Sequence, residues 1–110
     1  MKQGEIWYAE LNPTKGSEQA GFRPVVILSG NMMNELLNVV IVCPLTTKIK
    51  NYKGNIVLQP NDANKLSAPS EILLFHIRSI SKIRLHRKIG DIESDELKAL
   101  KSGLDDILRY

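Results

Sequence analysis

One cysteine among 110 residues excludes an intramolecular disulfide, and with it the small secreted folds that depend on such staples. Cys43 sits inside the apolar run Val39-Val40-Ile41-Val42-Cys43, and a reduced, cytoplasmic setting is expected for it. The chain also lacks a Cys/His cluster, carboxylates at metal-ligand spacing, a phosphate-cradling loop of the Walker type and a serine-centred elbow. Neither a metal nor a nucleotide cofactor is therefore expected. No apolar run approaches the roughly 20 residues needed to span a bilayer. The opening Met1-Lys2-Gln3-Gly4-Glu5 has no apolar segment of the signal-peptide kind, so no targeting signal and no membrane partner are expected.

What is present is ordinary globular material. Apolar residues make up 43% and charged residues 25%, which argues against a disordered or fibrous chain. At 110 residues a single domain, 1–110, is expected, large enough for a real core but not for a second one. A net charge of +3 is compatible with a polyanionic partner without requiring one.

Along the chain, the segment 5–11 alternates imperfectly and ends at Asn12-Pro13, which reads as a first strand with one buried face. A polar loop over 12–22 follows. The run from Arg23 through Ser29 is apolar enough to be a strand covered on both faces. Residues 31–38 carry Met32, Met33, Leu36 and Leu37 at a spacing that fits two helical turns. A third strand is expected over 39–45, with Pro44 marking where its ladder pairing fails. Short strands are expected over 55–59 and 70–76, and a turn with one further short strand between Ile77 and Gly90.

Ser94 then offers a helix cap with Asp95 and Glu96 in the first turn. Leu97, Leu100, Leu104, Ile107 and Leu108 follow on one face, interrupted by Gly103, which costs about 1 kcal/mol relative to alanine. The sum is a mainly β protein with helices, an α+β chain: a small antiparallel barrel of about five to seven strands with a C-terminal helix over one opening.

The most distinctive stretch is Gly16-Ser17-Glu18-Gln19-Ala20-Gly21-Phe22-Arg23-Pro24, running into Val25-Val26-Ile27. A glycine-bracketed polar loop delivers an arginine to the mouth of an apolar strand, and Pro24 biases Arg23 towards extended backbone. Together with Gly4-Glu5-Ile6-Trp7, Leu11-Asn12-Pro13, Pro44-Leu45-Thr46 and Ile77-Arg78-Ser79-Ile80, this stretch resembles the MazF/PemK toxin family in order and spacing. The resemblance covers nearly the whole chain. It implies an SH3-like barrel of the kind shared with CcdB, a homodimer with its groove at the subunit interface, and a cognate MazE-like antitoxin whose disordered acidic tail folds into that groove.

It also implies a chemistry: a type II toxin that cleaves single-stranded RNA, chiefly messenger RNA, without a metal. The RNA 2′-hydroxyl attacks the adjacent phosphate, so the enzyme must align that attack, stabilise the extra negative charge and move two protons. Arg23 and Thr46 match the two residues taken as catalytic in the family. Physically, Arg23 offers a planar fork for two phosphate oxygens and Thr46 a neutral hydroxyl donor to a third. A guanidinium is a poor base at neutral pH, so the base is left unassigned.

Ser17 and Gln19 are substrate-site candidates that could equally cap their own loop. Lys48 and Tyr52, with Lys50 and Lys53, suit a single-strand groove, where lysines follow the phosphates and an aromatic face stacks a base; a solvated loop would look the same. His76 stands where the family usually shows glutamine. It reads either as a satisfied structural histidine or as an added proton shuttle, and Arg78 as a phosphate contact or a dimer brace. The basic stretch 82–88 reads as an exposed ribbon or an RNA flank.

Two other functions are compatible with such a fold: a CcdB-like poison of DNA gyrase that acts by contact alone, and a nucleic-acid-binding barrel without catalysis. Arg23 and Thr46 occurring together argue against the first. The second predicts RNA affinity that survives Arg23→Ala.

Overall fold

Alternation and apolar runs place the strands, and the sheet they form brings distant stretches of chain to one edge. The computed structural model describes residues 1–11 and 21–110. In order, the elements are β1 (Glu5–Glu10), β2 (Phe22–Ile27), α1 (Asn31–Leu36), β3 (Val39–Thr46), β4 (Ile56–Leu58), β5 (Ser70–Ile72), β6 (Arg78–Ser81), β7 (Leu85–Asp91) and α2 (Ser94–Arg109). Single 3₁₀ turns lie at Leu74–His76 and Lys82–Arg84. The seven strands form one antiparallel sheet in the order β4-β5-β3-β2-β1-β7, with β6 also paired to β3. Two register shifts in the β1–β7 ladder, at Ile6/Trp7 and Tyr8/Ala9, bend the sheet into a half-barrel.

Period-two alternation explains the unbroken apolar run over 25–28 that β2 leads into. Val25 and Ile27 face a core with Ala9, Leu11, Val40, Val42, Ile80 and Leu85. Val26, followed by Leu28, faces a second core with Ile6, Cys43, Leu45, Leu58, Ile72, Leu74 and Ile92, which α2 covers through Leu100. From Val25 onward the strand is covered on both faces, as expected for it, while Phe22 and Arg23 at its start are not.

Several local expectations are corrected. Ladder pairing does not fail at Pro44, which faces Val25 of β2, and β3 runs one residue past the expected end, to Thr46. Its first half, Val39 to Val42, pairs with β6, while Leu45 and Thr46 pair with β5. Pro44 falls at the handover between those partners, and its carbonyl accepts the Leu73 amide at 2.9 Å. The strand expected over 70–76 stops at Ile72, because the 3₁₀ turn at Leu74–His76 sends Leu74 into the core and turns Phe75 out. Two strands, not one, occupy 77–91.

At the start of α2 the cap is Glu93 rather than Ser94. Its carboxylate accepts the Glu96 amide while Glu96 Oε1 accepts the Glu93 amide at 2.7 Å, a reciprocal box. The helical stripe is used only in its first half: Leu97 and Leu100 pack into the core, whereas Ile107 and Leu108 are exposed. The short α1 is held by polar contacts instead of by its apolar residues. Buried Asn34 accepts from the Ser29 hydroxyl and donates to the Ser29 carbonyl at 2.9 Å, so Met32 and Leu36 point outward.

Gly103 has a packing reason. A Cβ there would stand 2.6 Å from Leu74 Cδ1 and 3.1 Å from the Gly54 carbonyl oxygen. Elsewhere in a helix, alanine would gain about 1 kcal/mol over glycine. Here the buried Leu74 cannot swing clear, and Gly103→Ala is expected to lower stability by about 1 kcal/mol instead, read as a fall in the urea midpoint.

Candidate active site

Strand register brings the two residues of the motif together. In the β2–β3 ladder Val25 faces Pro44 and Ile27 faces Val42, and continuing that register two residues past the last pair sets Arg23 against Thr46. Both therefore emerge on one side of the sheet at the end of its ladder. They line an open cleft of about 560 Å³ with Lys48, Lys50, Tyr52, Leu73, Phe75 and His76.

Three of these side chains are cations, and no carboxylate joins them among the described residues that form the walls. Thr46 is nearly buried, and its hydroxyl accepts the Lys48 amide at 3.1 Å, which fixes the oxygen and leaves its proton to donate. The opposite wall is aromatic. The Tyr52 and Phe75 rings meet edge to face at 5.1 Å, and Phe75 lies 5.0 Å from the His76 imidazole. Tyr52 and Phe75 are each about half exposed, which leaves ring surface for a ligand. A cationic floor beside an exposed aromatic wall suits a phosphodiester with a stacked base.

Of the residues singled out in the sequence, Arg23, Thr46, Lys48, Tyr52 and His76 share this cleft. His76 leaves a 3₁₀ turn, not a strand. Arg78 is not in the cleft; its Nη1 donates to the Leu11 carbonyl at 3.3 Å. Lys53 faces a separate depression against α2, with Gly103, Asp106 and Ile107. Ser17 and Gln19 lie outside the described residues. The ribbon over 82–88 is partly engaged: Lys88 pairs with Glu5 at 3.4 Å and Asp91 at 3.2 Å, and the Arg87 guanidinium lies 5.2 Å above the Tyr8 ring. Burial pushes the Cys43 thiol up to about 12, so it stays protonated and inert.

Two participants escape sequence reading. Phe75 looks like one more core residue of an apolar strand until the 3₁₀ turn rotates it outward. Glu71 has a fully buried carboxylate in β5, paired with Thr46 across the ladder. Oε1 accepts the amides of Lys50 at 2.8 Å and Asn51 at 3.2 Å. Oε2 accepts the Tyr52 amide at 2.9 Å and Asn55 Nδ2 at 3.1 Å. Burial alone would raise this carboxyl; the bonds from Lys50, Asn55, Tyr52 and Asn51 outweigh it and hold the group below the usual carboxylate range, hence charged at neutral pH.

Comparison with known proteins gives a consistent answer. Residues 2–108 match the family model described as the PemK-like, MazF-like toxin of type II toxin-antitoxin systems. The chain is 34% identical over 106 residues to the endoribonuclease MazF of Staphylococcus saprophyticus, covering 96% of this chain and 88% of that protein. A crystal structure of MazF from Deinococcus radiodurans superposes with a TM-score of 0.86 at 25% identity, over 100% of this chain and 97% of the other. An endoribonuclease from Mycobacterial species in complex with its cognate antitoxin shares the fold alone, with a TM-score of 0.75 at 18% identity over 98% and 92% of the two chains. With the family model spanning residues 2–108 and a curated relative matched over 96% of the chain, this protein belongs to the PemK-like, MazF-like toxins of type II toxin-antitoxin systems.

Proposed function

We propose that the chain is a sequence-selective endoribonuclease that cuts single-stranded RNA, chiefly messenger RNA, and so halts translation in the cytoplasm. The observation that carries this reading is that Arg23 and Thr46 share one cleft with Lys48, Lys50 and an aromatic wall. The 2′-hydroxyl of the RNA gives up its proton to solvent as it forms the new P–O bond, the P–O5′ bond breaks as its oxygen gains a proton, and the products end in a 2′,3′-cyclic phosphate and a 5′-hydroxyl. Arg23 grips two non-bridging oxygens and passes a proton towards the departing 5′-oxygen, while Thr46 donates to the phosphorane. Because the nucleophile belongs to the substrate and cations neutralise the developing charge, the reaction proceeds without a metal.

A cognate antitoxin restrains the enzyme by laying an acidic segment along the cationic cleft. Two copies of the chain complete the groove, and the exposed Met32, Leu36 and Leu37 provide apolar surface for a partner copy.

The test is incubation of the purified protein with a long single-stranded RNA in EDTA, followed by mapping of new ends and their phosphate chemistry. Discrete fragments carrying 2′,3′-cyclic phosphate are expected. Intact RNA at a large excess of enzyme would sink this reading.

A further inference from the structure

A carboxylate with no solvent exposure and no cationic partner is costly to keep unless its site needs the charge. Among the described residues Glu71 is such a group, and its four partners there are neutral donors from residues 50–55. Three of them are the successive amides of Lys50, Asn51 and Tyr52, and Asn51 adopts a left-handed φ of 53°. Consecutive amides with a left-handed residue among them form a concave nest, the arrangement that elsewhere captures an external anion. Here the anion is internal.

The direction of the loop follows from that. With its amides turned inward onto Glu71, the loop presents Lys50 and Tyr52 to the cleft. Asn55 reinforces the arrangement, since its Nδ2 donates to Glu71 while its Oδ1 accepts the Leu74 amide at 3.3 Å, next to Phe75. Glu71 is also the ladder partner of Thr46. One side chain thus ties the cationic and aromatic wall to the strand end that carries the reacting hydroxyl. Because the carboxylate is satisfied by amides, it leaves Lys48 and Lys50 their charge for phosphate.

We infer that Glu71 is a positioning residue for substrate: it holds residues 50–55 as a preformed wall and so sets affinity for single-stranded RNA, while Arg23 and Thr46 carry the bond-breaking step. This rests on the endoribonuclease reading for its kinetic consequence, but not for its effect on binding. Glutamine is the informative replacement. Its single carbonyl oxygen can serve one pair of donors, while its amide would point N–H groups at the other pair and leave those donors unmatched.

The measurement is made on the full chain with a single-stranded oligonucleotide of the mapped cleavage sequence, 2′-deoxy at the scissile position so that it cannot be cut. Glu71→Gln is expected to weaken binding of this probe at least tenfold in fluorescence anisotropy. The amides of Lys50, Asn51 and Tyr52 should exchange at least tenfold faster, with exchange in β3 unchanged. On cleavable RNA, KM should rise about tenfold with kcat within threefold of the parent. A purely structural role would lower the melting temperature and leave affinity per folded molecule unchanged, which overturns the inference, as would unaltered exchange or a fall in kcat at constant KM.

If Glu71→Gln does not fold, Asn55→Ala removes one of the four donors, and a two- to fivefold loss of affinity in the same direction is expected; equal affinity would overturn the proposal. Should the parent protein leave RNA intact, the endoribonuclease reading falls, and the binding comparison still decides the role of Glu71.

Discussion

Arg23→Ala is expected to lower kcat/KM for RNA cleavage by about 10³- to 10⁴-fold while moving the melting temperature by no more than a few degrees. The size follows from the role proposed for the guanidinium: a bidentate cation on a phosphorane acts only where charge develops, and single groups of this kind are worth about 10³- to 10⁵-fold in phosphoryl transfer. Arg23→Lys restores charge without the planar fork and should recover only part of the loss. Thr46→Ala removes one neutral donor, for which about 10²-fold is expected, and Thr46→Ser should retain most of the activity. The double variant should be no worse than about tenfold below Arg23→Ala, because two groups that stabilise one transition state do not contribute additively. Single-turnover cleavage of a defined RNA measures all five. Losses of less than tenfold for Arg23→Ala would show that the cleft is a binding surface and that the chemistry lies elsewhere.

How far this site could be read in advance depended on the distance over which each residue acts. Arg23, directly before Pro24, and Thr46, two residues after Pro44, were placed at strand ends by local sequence, while their pairing as a site rested on the family resemblance. Lys48 and Tyr52 were legible as a basic, aromatic loop. Glu71 was not, since a carboxylate in a short strand looks like an outward-facing position, and its partners lie 16 to 21 residues earlier in the chain. Phe75 fell inside the strand expected over 70–76, which instead stops at Ile72 and tightens into a 3₁₀ turn at Leu74–His76, a choice that an apolar run does not reveal locally. The fold class survived these local misreadings because strand count and the two-sided burial of β2 follow from composition over many residues, whereas caps and strand ends turn on single contacts.

Gly90→Ala is expected to do the reverse of Arg23→Ala, removing stability and sparing the chemistry. Gly90 pairs with Ile6 in the β1–β7 ladder, where a glycine reads at first as a weak strand residue. A Cβ at this position would lie 2.3 Å from the Asn64 carbonyl oxygen and 2.6 Å from that of Ala63. The backbone there cannot retreat cheaply. Asp91 donates its amide to the Ala63 carbonyl at 2.9 Å, and the buried Asn64 side chain donates to Gln59 at 2.8 Å and accepts from Leu66 at 3.0 Å and Asn61 at 3.1 Å. Leu66 in turn packs on the core under α2. One added methyl must therefore displace either the turn over 61–66 or the strand, and a cost of about 3 kcal/mol is expected, at the upper end for overpacking. For a chain of this size that is about 10 to 20 °C in melting temperature. Neither Gly90 nor the turn lines the cleft, so kcat/KM per folded molecule should stay within about threefold of the parent. Thermal and urea denaturation beside the cleavage assay separate the two effects. A loss below about 1 kcal/mol would mean that the turn and the strand do not approach this closely in solution.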